Sequence, residues 1–322
     1  MKQDSLAVVL ALMVLRIGRM LELLVLTLAA AEPNPALGWS PIEVAAVAQP
    51  LMPDGGTYLG PLSFRGAVEL TSPEGTFGGL SGLRWWNGKL YVLSDKRGKL
   101  FRLTLREVRG ELVGVVGADM TTLVNITDGE ALEFAGAMFV SNEGTHTLSK
   151  YPISDGGLSA MASTLELAGE GFGLTRNGGF EAVAIERDCA LLLTENARTG
   201  YLGPLRAPGG PNLTELPWPA GFSPTDAAWS PRNPNVAYVL LRKFKDQKVS
   251  AAVGRLTVRG CAPKDLSFEL LAEWASPVLV DNMEGLAIVR ASKGLELYLV
   301  SDDNFRTHGP QRTLLFKFAL PE

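Results

Sequence analysis

With 322 residues, 46% hydrophobic and only 20% charged, and with 35 glycines and 20 prolines, the chain can bury a large core and is too apolar for a disordered or coiled protein. A formal net charge of −4, without a Lys/Arg run or interleaved basic and aromatic residues, excludes the footprint of a nucleic-acid binder. At this length a repetitive all-β architecture fits as one domain.

Residues 6–15 and 21–31 are apolar runs split by Arg16 and Arg19, and neither run alone spans a bilayer. With the two arginines as the charged region, 21–28 as the apolar core and Ala29-Ala30-Ala31 as a small-residue cleavage site, residues 1–31 read as a secretory signal. The alternative is an uncleaved membrane anchor made of both runs, and in that case this segment would be the only contact with a membrane. Both readings export the folded part, to the periplasm or the extracellular space. Residues 32–62, with Pro33, Pro35, Pro41, Pro50, Pro53 and Pro61, read as a linker, so that folding is expected to begin at residue 63.

From residue 77 onward five segments share one plan. They open at Gly82-Leu83-Arg84-Trp85, Glu130-Ala131-Leu132-Glu133, Glu181-Ala182-Val183-Ala184, Asp226-Ala227-Ala228-Trp229 and Glu284-Gly285-Leu286-Ala287. Each runs through a short apolar strand, turns, and returns through a second apolar strand that usually ends in an acid. Anchors at 81, 130, 181, 226 and 284 suit four-stranded propeller blades. Third strands are expected at 100–105, 147–153, 252–258 and 313–320, and fourth strands at 111–116, 163–167 and 266–272. The last repeat lacks a fourth strand, and 64–70 could supply it and close the ring, which removes exposed edges. The fold class is therefore an all-β propeller of five blades, with a 58-residue final step that leaves room for an irregular sixth.

A hairpin places the start of its first strand beside the end of its second. Glu130, Glu181, Asp226 and Glu284, from strand starts, should thus meet Asp95, Glu143, Glu195 and Asp302, from strand ends, at one mouth of the channel. Crowded carboxylates raise one another's pKa unless a cation compensates. An oxygen-only donor set favours calcium or magnesium over zinc, and a wide ring suits calcium. The alternative is that these acids cap strand ends and accept backbone N–H bonds.

Gly79-Leu80-Ser81-Gly82-Leu83, Asn177-Gly178-Gly179-Phe180-Glu181-Ala182, Val280-Asp281-Asn282-Met283-Glu284-Gly285-Leu286-Ala287, Ser301-Asp302-Asp303-Asn304-Phe305 and the closing Gln311-Arg312-Thr313-Leu314-Leu315 resemble the phytase-like family, described as having "esterase-like activity of phytase". The resemblance spans about residues 77–320 and implies an exported propeller that hydrolyses phosphoesters or esters. Where the family tends to place Glu-Arg at the end of the fourth repeat's second strand, this chain reads Leu241-Arg242-Lys243, so one carboxylate is missing from the ring.

For phosphoester hydrolysis, Arg242 is the first candidate to clamp phosphate oxygens, followed by Lys96, Lys243 and Arg306, while Glu181 and Glu284 are candidate catalytic carboxylates as well as metal ligands. Lys96 and Lys243 fit simple ion pairs better. His146 and His308 lie in turn contexts, and no Gly-x-Ser-x-Gly elbow occurs, so no triad is expected. Trp85, Trp86, Trp229 and Trp274 should pack between blades. Residues 204–224 could form a loop over one face. Cys189 and Cys261 fall in turns of neighbouring blades, where a disulfide would be compatible with export. Three functions remain open: a calcium-dependent hydrolase of a small phosphoester or ester, a non-catalytic calcium-stabilised propeller that binds a protein or glycan, and a lactonase-like calcium propeller.

Overall fold

The computed structural model describes residues 35–320 apart from 167–177, 195–198, 206–212, 247, 263, 265 and 306–310. The expected signal or anchor at 1–31 lies outside the described residues. From Ala36 onward the chain forms one compact unit, built of five antiparallel sheets.

Blade 1 runs from the channel outward as Leu80–Trp86, Lys89–Ser94, Lys99–Val108 and Glu111–Thr122. Blade 2 follows with Gly129–Phe134, Ala137–Asn142 and Thr147–Ser154, the last paired to both Gly157–Leu158 and Ser163–Glu166. Blade 3 has Phe180–Glu186, Cys189–Thr194, Thr199–Pro204 and Leu213–Glu215. Its outermost strand comes from the segment expected to be a free loop. Blade 4 has Ser223–Trp229, Val236–Lys245, Lys248–Thr257 and Ser267–Ala275, and its two ten-residue strands account for the long final step without a sixth blade. Blade 5 joins Met283–Arg290, Leu295–Ser301 and Leu314–Leu320 to Leu62–Thr71, the expected closing strand from the other end of the chain.

The linker reading of residues 32–62 is corrected. Ser40–Ile42 pairs with the outer strand of blade 1, Ala45–Gln49 adds a fifth strand to blade 5, and Tyr58–Leu59 forms a hairpin with Leu62–Thr71. The prolines punctuate these strands, and Pro41 sits in an edge strand, where its missing N–H costs no ladder bond. Leu51 is buried in the blade 4–5 seam, while Ile42, Val44 and Ala46 pack against the blade 5–1 seam.

The core is divided into five seams, one between each neighbouring pair of blades. A blade covered on both faces needs apolar side chains on both, which is why second strands such as Ala-Met-Phe-Val are continuous apolar runs rather than alternating ones. Trp85 stacks on Tyr298 across the blade 5–1 seam and Trp86 on Phe134 across the 1–2 seam, as expected of packing residues. The closing seam also holds Lys317, fully buried, between Glu107 at 2.7 Å and Glu296 at 3.1 Å. Cys189 of blade 3 and Cys261 beyond the third strand of blade 4 are joined in a disulfide with a Cα–Cα distance of 5.5 Å.

At the axis lies Arg84. Its Nε pairs with Glu133 of blade 2 at 3.2 Å and Nη1 with Asp226 of blade 4 at 2.8 Å. Nη1 also donates to the carbonyls of Leu83 and Leu286 at 2.6 and 2.8 Å, and Nη2 to those of Val183 and Ala227 at 2.9 and 2.5 Å. One side chain therefore bonds to the inner strands of all five blades. Burial works against the charged guanidinium, but Asp226 and Glu133 outweigh it and hold its pKa above the ordinary value. Replacing Arg84 with Met should cost roughly 3–5 kcal/mol in denaturant unfolding, because two buried carboxylates lose their partner. Adding Glu133→Gln and Asp226→Asn should restore part of that loss, and a triple variant no more stable than the single one would show that charge is not the cause.

Candidate functional site

Each inner strand carries a β-bulge near its start, visible as a register shift against its second strand. The extra residue is Ser81, Glu130, Glu181, Thr225 and Glu284 in blades 1 to 5. A bulge re-aims its side chain out of the regular alternation. Among these five, the hydroxyls turn to the next blade: Ser81 Oγ donates to the carbonyl of Gly129 at 2.7 Å and Thr225 Oγ1 to that of Met283 at 3.0 Å. The three glutamates line the mouth of the channel.

The mouth is a cavity of about 420 Å³ lined by Asp95, Asp128, Glu130, Glu143, Glu181, Glu284 and Asp302, with Arg242, Asn282 and Asn304. Six of the eight expected ring acids are thus brought together. Glu195 lies outside the described residues. Asp226 is corrected: it is fully buried below the mouth, where Oδ2 accepts the N–H of Leu286 at 2.7 Å and a hydrogen bond from Arg84. Thr225 occupies the bulge that Asp226 was expected to fill, and a shift of one residue along a strand exchanges one side of the sheet for the other.

Asp128 was missed in the sequence, although Asp128-Gly129-Glu130 repeats the spacing of Asn282-Met283-Glu284. Its N–H donates to Asn142 Oδ1 at 3.0 Å and its carbonyl accepts from Glu143 N at 2.9 Å, which fixes it beside the end of the second strand of blade 2. Asp128, Glu130 and Glu143 each present an oxygen within 4.8 Å of the others. The Asp95 Oδ1 atom is buried with no hydrogen-bond partner among the described residues. Converging anionic oxygens and an orphaned carboxylate oxygen fit a hard divalent cation, and no His or Cys lines the cavity among the described residues.

The electrostatics have the same origin. Burial, then Asp302, push the Asp95 carboxyl up to about 7, against the opposing pull of Lys96. Asp302 rises to about 6, mainly through burial, although the Asn304 N–H bond favours its charged form. Glu130 lies well above the ordinary range through burial and then through Asp128, Glu284, Asp95 and Glu143. Arg242 ion-pairs with Glu284 and hydrogen-bonds Asn282 Oδ1. Asn282 Nδ2 in turn donates to Asp302 Oδ2 at 3.3 Å. Lys243 and Lys96 do not line the cavity: Lys243 pairs with Glu273 at 3.2 Å and Lys96 lies over the Phe305 ring at 4.5 Å, while Arg306 is outside the described residues. His146 stands beyond Glu143 in a left-handed turn and does not line the cavity, and His308 is outside the described residues.

Fold and site together define a five-bladed propeller with a carboxylate-lined mouth above the buried Arg84. The family model described as "Phytase-like: Esterase-like activity of phytase" matches residues 75–305, and the chain belongs to this family. No curated protein sequence matches it. Solved structures of similar fold include the PQQ-bound aldose sugar dehydrogenase of Streptomyces coelicolor (11% identity, 89% of this chain and 99% of that one, TM-score 0.37). The periplasmic gluconolactonase of Pseudomonas aeruginosa matches at 11% identity over 87% and 100%, TM-score 0.36. The WD40 domain of Toxoplasma gondii coronin matches at 8% over 90% and 88%, TM-score 0.40.

The raised carboxyls make a signed prediction. An acid whose pKa climbs from 3.8 unfolded to about 7 folded keeps a proton that the unfolded chain releases, so stability falls as pH rises through that window. In chelator, Asp95→Asn should raise the melting temperature at about pH 8 and change it little at about pH 4. An equal effect at both pH values would remove the electrostatic origin.

Proposed function

We propose that this is an exported, calcium-dependent hydrolase of a small phosphoester or ester. The observation that carries the reading is the convergence of Asp128, Glu130 and Glu143 oxygens within 4.8 Å in a cavity that also holds the Arg242 guanidinium. Asp128, Glu130 and Glu143 would hold the ion, with the Asp95 oxygen beside them. A wide rim of oxygens suits the flexible shell of calcium better than the strict octahedron of magnesium. When bound, the cation would polarise an ester or phosphoryl oxygen and lower the pKa of a coordinated water.

The remaining roles fall to the chain's own side chains. Arg242, on blade 4, would orient anionic oxygens of the substrate, with Glu284 and Asn282 fixing the guanidinium. Glu181 comes from blade 3, between the blade that supplies Glu130 and the blade that supplies Arg242, and its carboxylate would accept a proton from the attacking water. Arg84 closes the channel below, so substrate would enter and leave by the same mouth. The engagement of Arg242 by Glu284 favours a second reading, in which the ion only ties blades together or the substrate is a neutral lactone that needs no clamp.

Calcium titration separates these. Calcium at about a hundredfold its Kd should stabilise the protein by about 2.7 kcal/mol, and Glu130→Gln should abolish the shift. Hydrolysis of p-nitrophenyl phosphate should need calcium and fall roughly 10–100-fold in Glu130→Gln and Glu181→Gln. Lactone turnover alone would select the lactonase reading, stabilisation without turnover the structural one, and neither effect would remove the metal site.

A further inference from the structure

Beside the acidic mouth lies a second cleft of about 210 Å³, lined by Gly75, Thr76, Lys96, Arg97 and Phe305. The two hollows are formed back to back by the same two pieces of chain. Asp95 and Asn304 line the acidic cavity, while their successors Lys96 and Phe305 line the cleft. Gly79 is the shared wall: a Cβ there would collide with both Asp95 Oδ1 and the Phe305 ring, and its φ of +57° is left-handed.

The charges of the two hollows are opposite. Lys96 and Arg97 are exposed, and neither forms an ion pair among the described residues. Lys96 is covalently next to Asp95 at a mouth with seven carboxylates, yet its ammonium lies over the Phe305 ring at 4.5 Å. The cleft is also held in shape at some conformational cost. Arg97 has φ +61° and Phe305 φ +51°, a region that a bulky side chain rarely enters. Arg97 N donates to Thr127 O at 3.2 Å, and Asp303 Oδ1 accepts from both Phe305 N and Gly79 N at 3.0 Å, which holds these conformations in place. Backbone strain of this kind persists where the surroundings over-determine it, and it clusters at ligand sites.

Lys96 and Arg97 thus stand on an apolar floor without an ion-pair partner among the described residues, walled from the acidic cavity by one glycine, although Lys96 still acts at longer range on Asp95 and Asp302. We infer that the cleft is an anion subsite that takes a second negatively charged group of the substrate, a carboxylate or a phosphate, while the bond to be cleaved lies in the acidic mouth. The substrate is then a small molecule with an anionic group remote from its scissile ester. The catalytic half of this statement rests on the hydrolase reading above; the binding half does not.

Binding is therefore tested without turnover. The full chain in chelator is titrated calorimetrically with inorganic phosphate and, separately, with acetate, to distinguish the two sources of anion. Phosphate binding that weakens at least about tenfold in the double variant Lys96→Met/Arg97→Gln supports the subsite. Absence of binding by either anion, binding that survives the double variant, or binding lost in Arg242→Gln instead overturns it. Both side chains are exposed, so an unchanged melting temperature should accompany the loss. With calcium, the KM of a carboxylated phenyl phosphate relative to that of phenyl phosphate should rise about tenfold in the double variant. If no ester is turned over, the hydrolase reading fails while the phosphate result still decides the subsite.

Discussion

A guanidinium sealed inside a protein must find acceptors for five N–H donors and a counter-charge, because it does not give up its proton. Arg84 meets that demand by drawing on every blade: a carbonyl from each of blades 1, 3, 4 and 5 and carboxylates from blades 2 and 4. Six acceptors share the five donors and every blade supplies at least one of them, so the five inner strands must all come within the reach of one planar group. Lysine could not replace it, since three donors on a compact ammonium cannot span five strands. Burial lifts the carboxyls of both Glu133 and Asp226, and the guanidinium is what opposes that lift.

The same constraint shapes the mouth. Just past the Arg84 level each inner strand bulges, and the residue pushed out is a hydroxyl in two blades and a glutamate in three. The hydroxyls fasten a blade to its neighbour by donating to the carbonyl before the next bulge, and Ser141 does the same for Phe180 at 2.9 Å. An ionised glutamate has no proton to donate, so Glu130, Glu181 and Glu284 cannot fasten the next blade as the hydroxyls do, and they concentrate charge at the opening. Stability is supplied below, by Arg84 and the five apolar seams, and the mouth is left free to be electrostatically unfavourable. That division is expected where a site is built for a ligand rather than for the fold.

The repeat made much of this legible. Five apolar hairpins with acids at their ends gave the blade number, the closing strand at 64–70 and the end of the channel where carboxylates gather. The disulfide was readable only as an option, because the distance between two turns depends on how blades pack. Asp226 was misplaced because a bulge adds one residue and is silent in a hydrophobic pattern, so aligning acids by type slipped blade 4 by one position. Residues 40–59 were misread because proline density hid three short strands that pair with distant partners. Arg84 itself stood in the first repeat in plain view. A single charged residue in an apolar strand reads as a surface position until the topology shows that this position faces the axis.

The ring is also unequal around its circumference, and that inequality follows from one substitution in the repeat. Blade 4 carries Arg242 within its second strand at the position where an acid directly follows the second strand of the other blades, and its bulge residue is Thr225. Among the described residues this fifth of the mouth therefore contributes no carboxylate, and its cation draws Glu284 of blade 5 into an ion pair. On blades 1 and 2 the carboxyls of Asp95 and Glu130 climb above their ordinary range, and an Asp95 oxygen there has no hydrogen-bond partner among the described residues. A symmetric ring of acids would hold a cation on the axis, directly above Arg84 and repelled by it. An unequal ring moves the attractive centre to one side, away from the buried guanidinium.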